Sequence, residues 1–237
     1  MKIRHWHYEP VSDFGRPLTE RLRQCPREPG MLVYALRLVA NLLLRLSLRT
    51  VFRFRVHGRE RLAKPGSCIL VCNHTSHLDT LCLVAAIPVS RIHRTYPAAA
   101  SDYFFSDFAR TAFSSILINA LPFDRHHGGA ESLDRCASVL GRPNTSLIVF
   151  PEGTRTTDGE VARFRSGVAR LAQSTGLPVV PCHVTGGFEC WPKGRCLPRP
   201  GRLELRVGEA MHFDETTDVA TICRELRDAV ITLKERQ

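Results

Sequence analysis

A chain of 237 residues can bury a full core and reads as one domain with a terminal extension. Its apolar share of 43% and charged share of 24% exclude long disordered tracts, and nine scattered cysteines without a CxxC pair argue against structural zinc or a disulfide framework. Thirty-three Lys and Arg against twenty-three Asp and Glu leave a net charge of +10, which favours an anionic partner: nucleic acid, an anionic membrane surface or a phosphorylated substrate.

Residues 1–30 are polar and charged, hold no apolar signal-peptide core and close on Pro26, Pro29 and Gly30, so an irregular arm is expected. Residues 31–50 have the length of a membrane span, but arginines interrupt them. Arg37, Asn41, Arg45 and Arg49 recur every fourth residue and fall within an arc of roughly 120° on a helix. The rest of the circumference is Leu, Val and Ala. Such a basic amphipathic helix suits a membrane interface with its arginines on anionic headgroups; packing on the domain core with the arginines in water is the other reading.

Val51 to His57 alternates as a half-buried strand. Cys68–Cys72 is a short uncharged run, as in a strand buried on both faces, and Asp79–Ile87 reads as a buried helix. An aromatic helix is expected over 102–121 (Phe104, Phe105, Phe108, Phe113), with a buried strand at Leu117–Leu121 running into Pro122-Phe123-Asp124-Arg125. A short helix at Glu131–Leu140 and a strand at Ser146–Phe150 follow. Ser166 is expected to cap a helix that Gly176 closes. Strands at Pro178–Val184 and Arg202–Val207 precede a terminal helix with Val219, Ile222, Cys223, Leu226, Val230 and Leu233 on one side. Strands alternating with helices predict an α/β domain with a largely parallel central sheet flanked by helices, over residues 51–237, behind an N-terminal arm and membrane-associating helix over 1–50.

The working residues of such a sheet gather past the carboxyl ends of its strands. Three strand ends here carry them: His74 after one, Arg125 after another, and Glu152-Gly153-Thr154-Arg155 after a third. Residues five apart on one helix point about 140° away from each other, so His74 and Asp79 meet only if His74 lies on the turn entering the helix and Asp79 in its first turn. A carboxylate there fixes the imidazole tautomer and leaves the other nitrogen free as a base. A solvated histidine beside an unrelated capping aspartate has the same spacing. Arg163 and Arg165, just before the helix near Ser166, suit a phosphate, and arginines at 125 and 155 suit forked hydrogen bonds to its oxygens. His126-His127 has no third metal ligand in view.

Asn73-His74-Thr75-Ser76-His77-Leu78-Asp79 resembles the first signature, H-x4-D, of the phospholipid/glycerol acyltransferases, which include the lysophosphatidic acid acyltransferases. Phe150-Pro151-Glu152-Gly153-Thr154-Arg155-Thr156 resembles their third, Phe123-Asp124-Arg125 the end of their second and Val179-Val180-Pro181 their fourth. The second signature departs in Asn119-Ala120-Leu121-Pro122, where the family usually has a glycine. The resemblance implies His74 as general base with Asp79 orienting it. It implies Arg125, Glu152, Gly153, Thr154, Arg155 and Arg165 around the acceptor phosphate, with Glu152 and Gly153 shaping the turn; His77 is read as a bystander. It further implies acyl-CoA or acyl-carrier protein as donor, no cofactor or metal, no acyl-enzyme, and a lysophospholipid acceptor, 1-acyl-sn-glycerol-3-phosphate before a lyso-aminolipid or lysophosphatidylethanolamine. A membrane-associated place on a cytoplasmic face goes with that role. A hydrolase using Ser76 lacks a G-x-S-x-G elbow, and a nucleic-acid binder rests on charge alone.

Overall fold

The computed structural model describes residues 30–101, 111–124 and 129–235. The arm at 1–29, Phe104, Phe105, Phe108, Arg125, His126 and His127 lie outside the described residues. In chain order the main elements are α1 (Met31–Val51), β1 (Arg55–His57), β2 (Cys68–Cys72), α2 (His77–Ala86), β3 (Thr95–Ala100), a π-helical segment (Phe113–Ile118), β4 (Leu121–Phe123), α3 (Gly129–Leu140), β5 (Ser146–Val149), α4 (Gly167–Thr175), β6 (Val179–Thr185), β7 (Glu204–Val207) and α5 (Val219–Glu235).

The strands form one seven-stranded sheet in the order β1-β7-β6-β2-β5-β3-β4. Every neighbouring pair is parallel except β6 with β7. Alternation along β2 divides the core between the two faces of the sheet. Leu70 and Cys72 join Leu48, Phe52, Leu83, Val184 and Leu205 on one side, beneath α1 and α2. Ile69 and Val71 join Cys136, Val168, Ile222, Leu226 and Val230 on the other, beneath α3, α4 and α5. The α/β class expected from the sequence therefore holds, with β2, β5 and β6 at its centre.

Several boundaries differ. Val51 belongs to α1, leaving only Arg55–His57 as strand. The run expected as a strand at 117–121 is split between the π-helical segment and β4. Asn119 makes the break in the left-handed region (φ 60°), where its short amide is tolerated and donates to the carbonyls of His93 and Thr95. Ser166 stands at the N-cap position of α4 as expected, but with helical dihedrals and without a side-chain cap bond; Gly176 closes that helix in the left-handed region.

The largest difference concerns α1. The first three members of its polar stripe face the domain instead of lipid headgroups, with Arg49 left exposed: Arg37 is 3% and Asn41 4% exposed, while Leu43 and Leu46 are 60% and 59% exposed. The stripe reaches carbonyls at the ends of neighbouring helical segments. Arg37 donates from Nε to the Ile116 carbonyl (2.9 Å) and from Nη2 to that of Ser115 (3.2 Å). Asn41 donates to the Val84 carbonyl at 3.3 Å, and Arg45 donates to the Ile87 carbonyl and to Asn41 Oδ1. Val84 and Ile87 mark the C-terminal end of α2, where a cation also complements the helix dipole. The outward stripe of α1 is leucine and valine.

Candidate active site

The end of β2 is fixed before the chain leaves the sheet. Asn73 imitates a backbone: its Oδ1 accepts from Val184 N (2.8 Å) and its Nδ2 donates to Val184 O (3.0 Å), prolonging the pairing with β6 by one side chain. The next residue, His74, is then free to turn away. Its own backbone is held from both sides, with N–H donating to Glu152 Oε1 (2.6 Å) and carbonyl accepting from Thr156 N (2.9 Å).

Ser76 starts α2 with a capping box. Its hydroxyl accepts from Leu78 N (3.2 Å) and donates to the Trp191 carbonyl (2.8 Å). Asp79, fully buried, gathers three donors on Oδ2: Thr75 N and Ser76 N at 2.7 Å each, and His74 Nδ1 at 3.2 Å. The imidazole stacks on Phe150, centroids 4.0 Å apart. His74 thus sits on the entering turn and Asp79 in the first turn. With Nδ1 facing the carboxylate, Nε2 is the nitrogen left for chemistry.

The other oxygen, Asp79 Oδ1, makes no hydrogen bond, and Gly187 lies against it: a Cβ on Gly187 would stand 2.5 Å from that oxygen and 3.0 Å from Thr75 Oγ1. Gly187→Ala is therefore expected to push Asp79 off its three donors. Any turnover that uses His74 as a base should fall by about 10²-fold, since a 1 Å misplacement reaches that size, and its pH-rate profile should shift. A variant matching the parent in rate and profile would show that Gly187 does not hold Asp79 in place.

Glu152 is buried, and burial pushes its carboxyl up to about 7. Besides His74 N it accepts from Ala162 N (3.0 Å), so both oxygens serve backbone and neither is offered to a ligand. Gly153 (φ 75°) lies under the Arg165 guanidinium, and a Cβ there would approach Nε within 2.6 Å. Gly153, Thr154, Arg155, Arg165, His74 and His77 border one cleft of about 1350 Å³. Leu81, Ile118, Phe123, Leu133 and a run of alanines make its apolar wall, and the start of α4 at Ser166-Gly167 reaches it too. Among the described residues no group of three or more His, Cys, Asp or Glu could hold a metal ion.

His77 lies edge-on to Trp191, centroids 5.4 Å apart. Burial, then the charges of Arg155 and His74, lower its pKa to about 4; burial, with Lys234 and Arg206, does the same for His183 in β6. Both histidines are neutral in the native protein between about 4 and their ordinary 6.5, where the unfolded chain takes up protons, so acidification through that window destabilises the fold. Glu152 acts oppositely: its stabilisation is present below the ordinary 4.5 and lost as pH rises through about 7. Melting between pH 4 and 7 should accordingly flatten in His183→Gln and steepen on the acid side in Glu152→Gln. Unchanged slopes in both variants would remove these groups as the cause.

Sequence reasoning missed Asn73 as a strand-end clamp, Phe150 as the stacking surface, and Gly187. The Gly186-Gly187 pair directly after β6 was the readable signal for the last.

A histidine oriented by a buried carboxylate thus stands at the wall of an apolar cleft rimmed by arginine. The acyltransferase family model matches residues 53–185, and the chain belongs to that family. It is 30% identical over 149 residues to a 1-acyl-sn-glycerol-3-phosphate acyltransferase of Cocos nucifera (62% of this chain, 46% of that protein). It is 28% identical over 166 residues to the enzyme of that name from Pseudomonas aeruginosa (68% and 60%). The chain spans about half to two thirds of the length of the first such relatives. The fold is similar to that of the 1-acyl-sn-glycerophosphate acyltransferase PlsC from Thermotoga maritima, with a TM-score of 0.62 at 21% identity over 86% of this chain and 80% of that one.

Proposed function

We propose that the chain moves a fatty acyl group from an acyl thioester, acyl-CoA or acyl-carrier protein, to the free glycerol hydroxyl of a lysophospholipid, with 1-acyl-sn-glycerol-3-phosphate the first candidate. The observation that carries this reading is the His74–Asp79 pair opening onto the apolar cleft beside Arg155 and Arg165.

In this reading His74 Nε2 takes the hydroxyl proton as the oxygen attacks the thioester carbonyl, and Asp79 stabilises the imidazolium that forms. The tetrahedral intermediate collapses with loss of the thiolate, which recovers the proton from His74. No covalent enzyme intermediate is needed. Ser76, the candidate nucleophile of a hydrolase, has its hydroxyl engaged on both sides and is fully buried. The acceptor phosphate would lie between Arg155, Arg165, the Thr154 hydroxyl and the start of α4, with Arg125 the further contact that the family resemblance supplies. Glu152 serves this site by fixing the His74 backbone. The acyl chains would occupy the apolar wall.

Among the described residues α1 is the one helix long and apolar enough to cross a membrane. Because its polar stripe is bonded to the domain, it is read as lying in the interface with its leucines in lipid.

The test is transfer from labelled acyl-CoA and from acyl-carrier protein to a panel of lysolipids. Transfer to 1-acyl-sn-glycerol-3-phosphate is expected. Transfer only to another lysolipid would keep the chemistry and change the acceptor; release of free fatty acid alone would overturn the reading in favour of a hydrolase.

A further inference from the structure

The segment between the one-turn helix Gly187–Cys190 and β7 carries Lys193, Arg195, Arg199 and Arg202 and no acidic residue. It is tied to itself: Trp191 Nε1 donates to the Arg195 carbonyl (2.8 Å), Arg195 Nε to that of Leu197 (3.0 Å), and Arg199 N to that of Cys190 (2.8 Å). Among the described residues Lys193, Arg195 and Arg199 make no ion pair. At the tip Leu197 stands 74% exposed between cations, the most solvent-open large apolar side chain described outside the first residues of α1.

The far end of this loop meets α1. Leu203 N donates to the Phe52 carbonyl and Leu203 O accepts from Arg55 N, both at 3.0 Å, so the loop's descent brackets Arg53 at the C-terminal end of that helix. Arg49, Arg53 and Arg55 are exposed there as well. The loop's far end thus meets the end of α1 among exposed arginines, Arg202 there pairing with Glu204, beside a helix that turns leucines outward. Cations around a lone exposed leucine fit an anionic bilayer, where the leucine reaches the acyl boundary and the arginines meet headgroup phosphates. An acidic soluble partner would explain the cations but not their place beside the apolar face of α1.

We infer that residues 191–202 form a second membrane contact, a cationic foot tipped by Leu197 that binds an anionic bilayer beside α1. The inference rests on the membrane reading above, and the test separates the two. Sedimentation with phosphatidylglycerol-rich and with pure phosphatidylcholine vesicles would be compared for the parent chain, Arg195→Gln/Arg199→Gln, Leu197→Ser and, in α1, Leu43→Gln/Leu46→Gln. The arginine variant is expected to bind the anionic vesicles more weakly by roughly fivefold per cation removed, with binding to neutral vesicles unchanged. Leu197→Ser should weaken both. If the α1 variant loses binding while both loop variants bind as the parent does, the foot is overturned and the membrane reading stands. If the parent binds neither vesicle, both fail. Equal thermal midpoints across the set check that these exposed substitutions leave the fold intact.

Discussion

Acyl transfer by a His74→Ala variant is expected to fall by about 10²–10⁴-fold, the usual contribution of a positioned general base, while the thermal midpoint changes little. The two halves of that expectation have separate structural causes. The backbone of His74 is held by Glu152 and Thr156 whatever side chain the residue carries. The imidazole itself makes one hydrogen bond and one stacking contact at the edge of the cleft. Among the described residues His77 is the other imidazole bordering the cleft, and with its pKa lowered to about 4 it is too weak a base near neutral pH to take over the work. Rates with labelled donor, paired with melting curves, check the expectation. Full activity in a folded variant would place the base elsewhere.

At Asp79 two substitutions should separate charge from scaffold. In Asp79→Asn the amide oxygen can occupy the place of Oδ2 and keep the Thr75 and Ser76 amides satisfied. Its NH₂ would then lie on the side of Thr75 Oγ1, which is buried without a hydrogen bond. Stability is expected to stay within about 1 kcal/mol, the net worth of one hydrogen bond. Activity is expected to drop by about 10²-fold or more, because an amide does not stabilise the imidazolium. Asp79→Ala leaves two buried N–H groups without an acceptor, at about 1–3 kcal/mol each, so it should lose both activity and stability. Chemical denaturation and kinetics on the same pair of variants give the two readings. Equal loss of activity and stability in Asp79→Asn would show that the carboxylate acts only as a cap.

The sheet was legible where strands are uncharged and buried on both faces: β2, β5 and β6 announce themselves as short apolar runs. β3 did not, because Thr95-Tyr96-Pro97-Ala98-Ala99-Ala100 joins proline and three alanines, which are poor strand formers. Tertiary pairing with β5 and β4 makes that strand all the same. The dyad was legible because strand end, turn and helix start lie within one short stretch. The Glu152 clamp was not, since it joins the His74 amide to a carboxylate 78 positions away and serves the backbone of its partner. The orientation of α1 was read with the wrong face outward because charges were assigned to solvent by default. A guanidinium is as well placed on helix-end carbonyls, and α2 and the π-helical segment offer them.

That inverted helix also sets how the protein could be handled. In an ordinary surface helix the greasy stripe is what glues it down, and polar redesign would detach it. Here the attachment combines the buried Leu48 and the half-buried Leu44 with directional bonds from Arg37, Asn41 and Arg45, while Leu42, Leu43 and Leu46 opposite are exposed. Leu42, Leu43 and Leu46 could be exchanged for glutamate, lysine or glutamine, all good helix formers, without loosening the docked face. The product should be a detergent-independent version of the same fold.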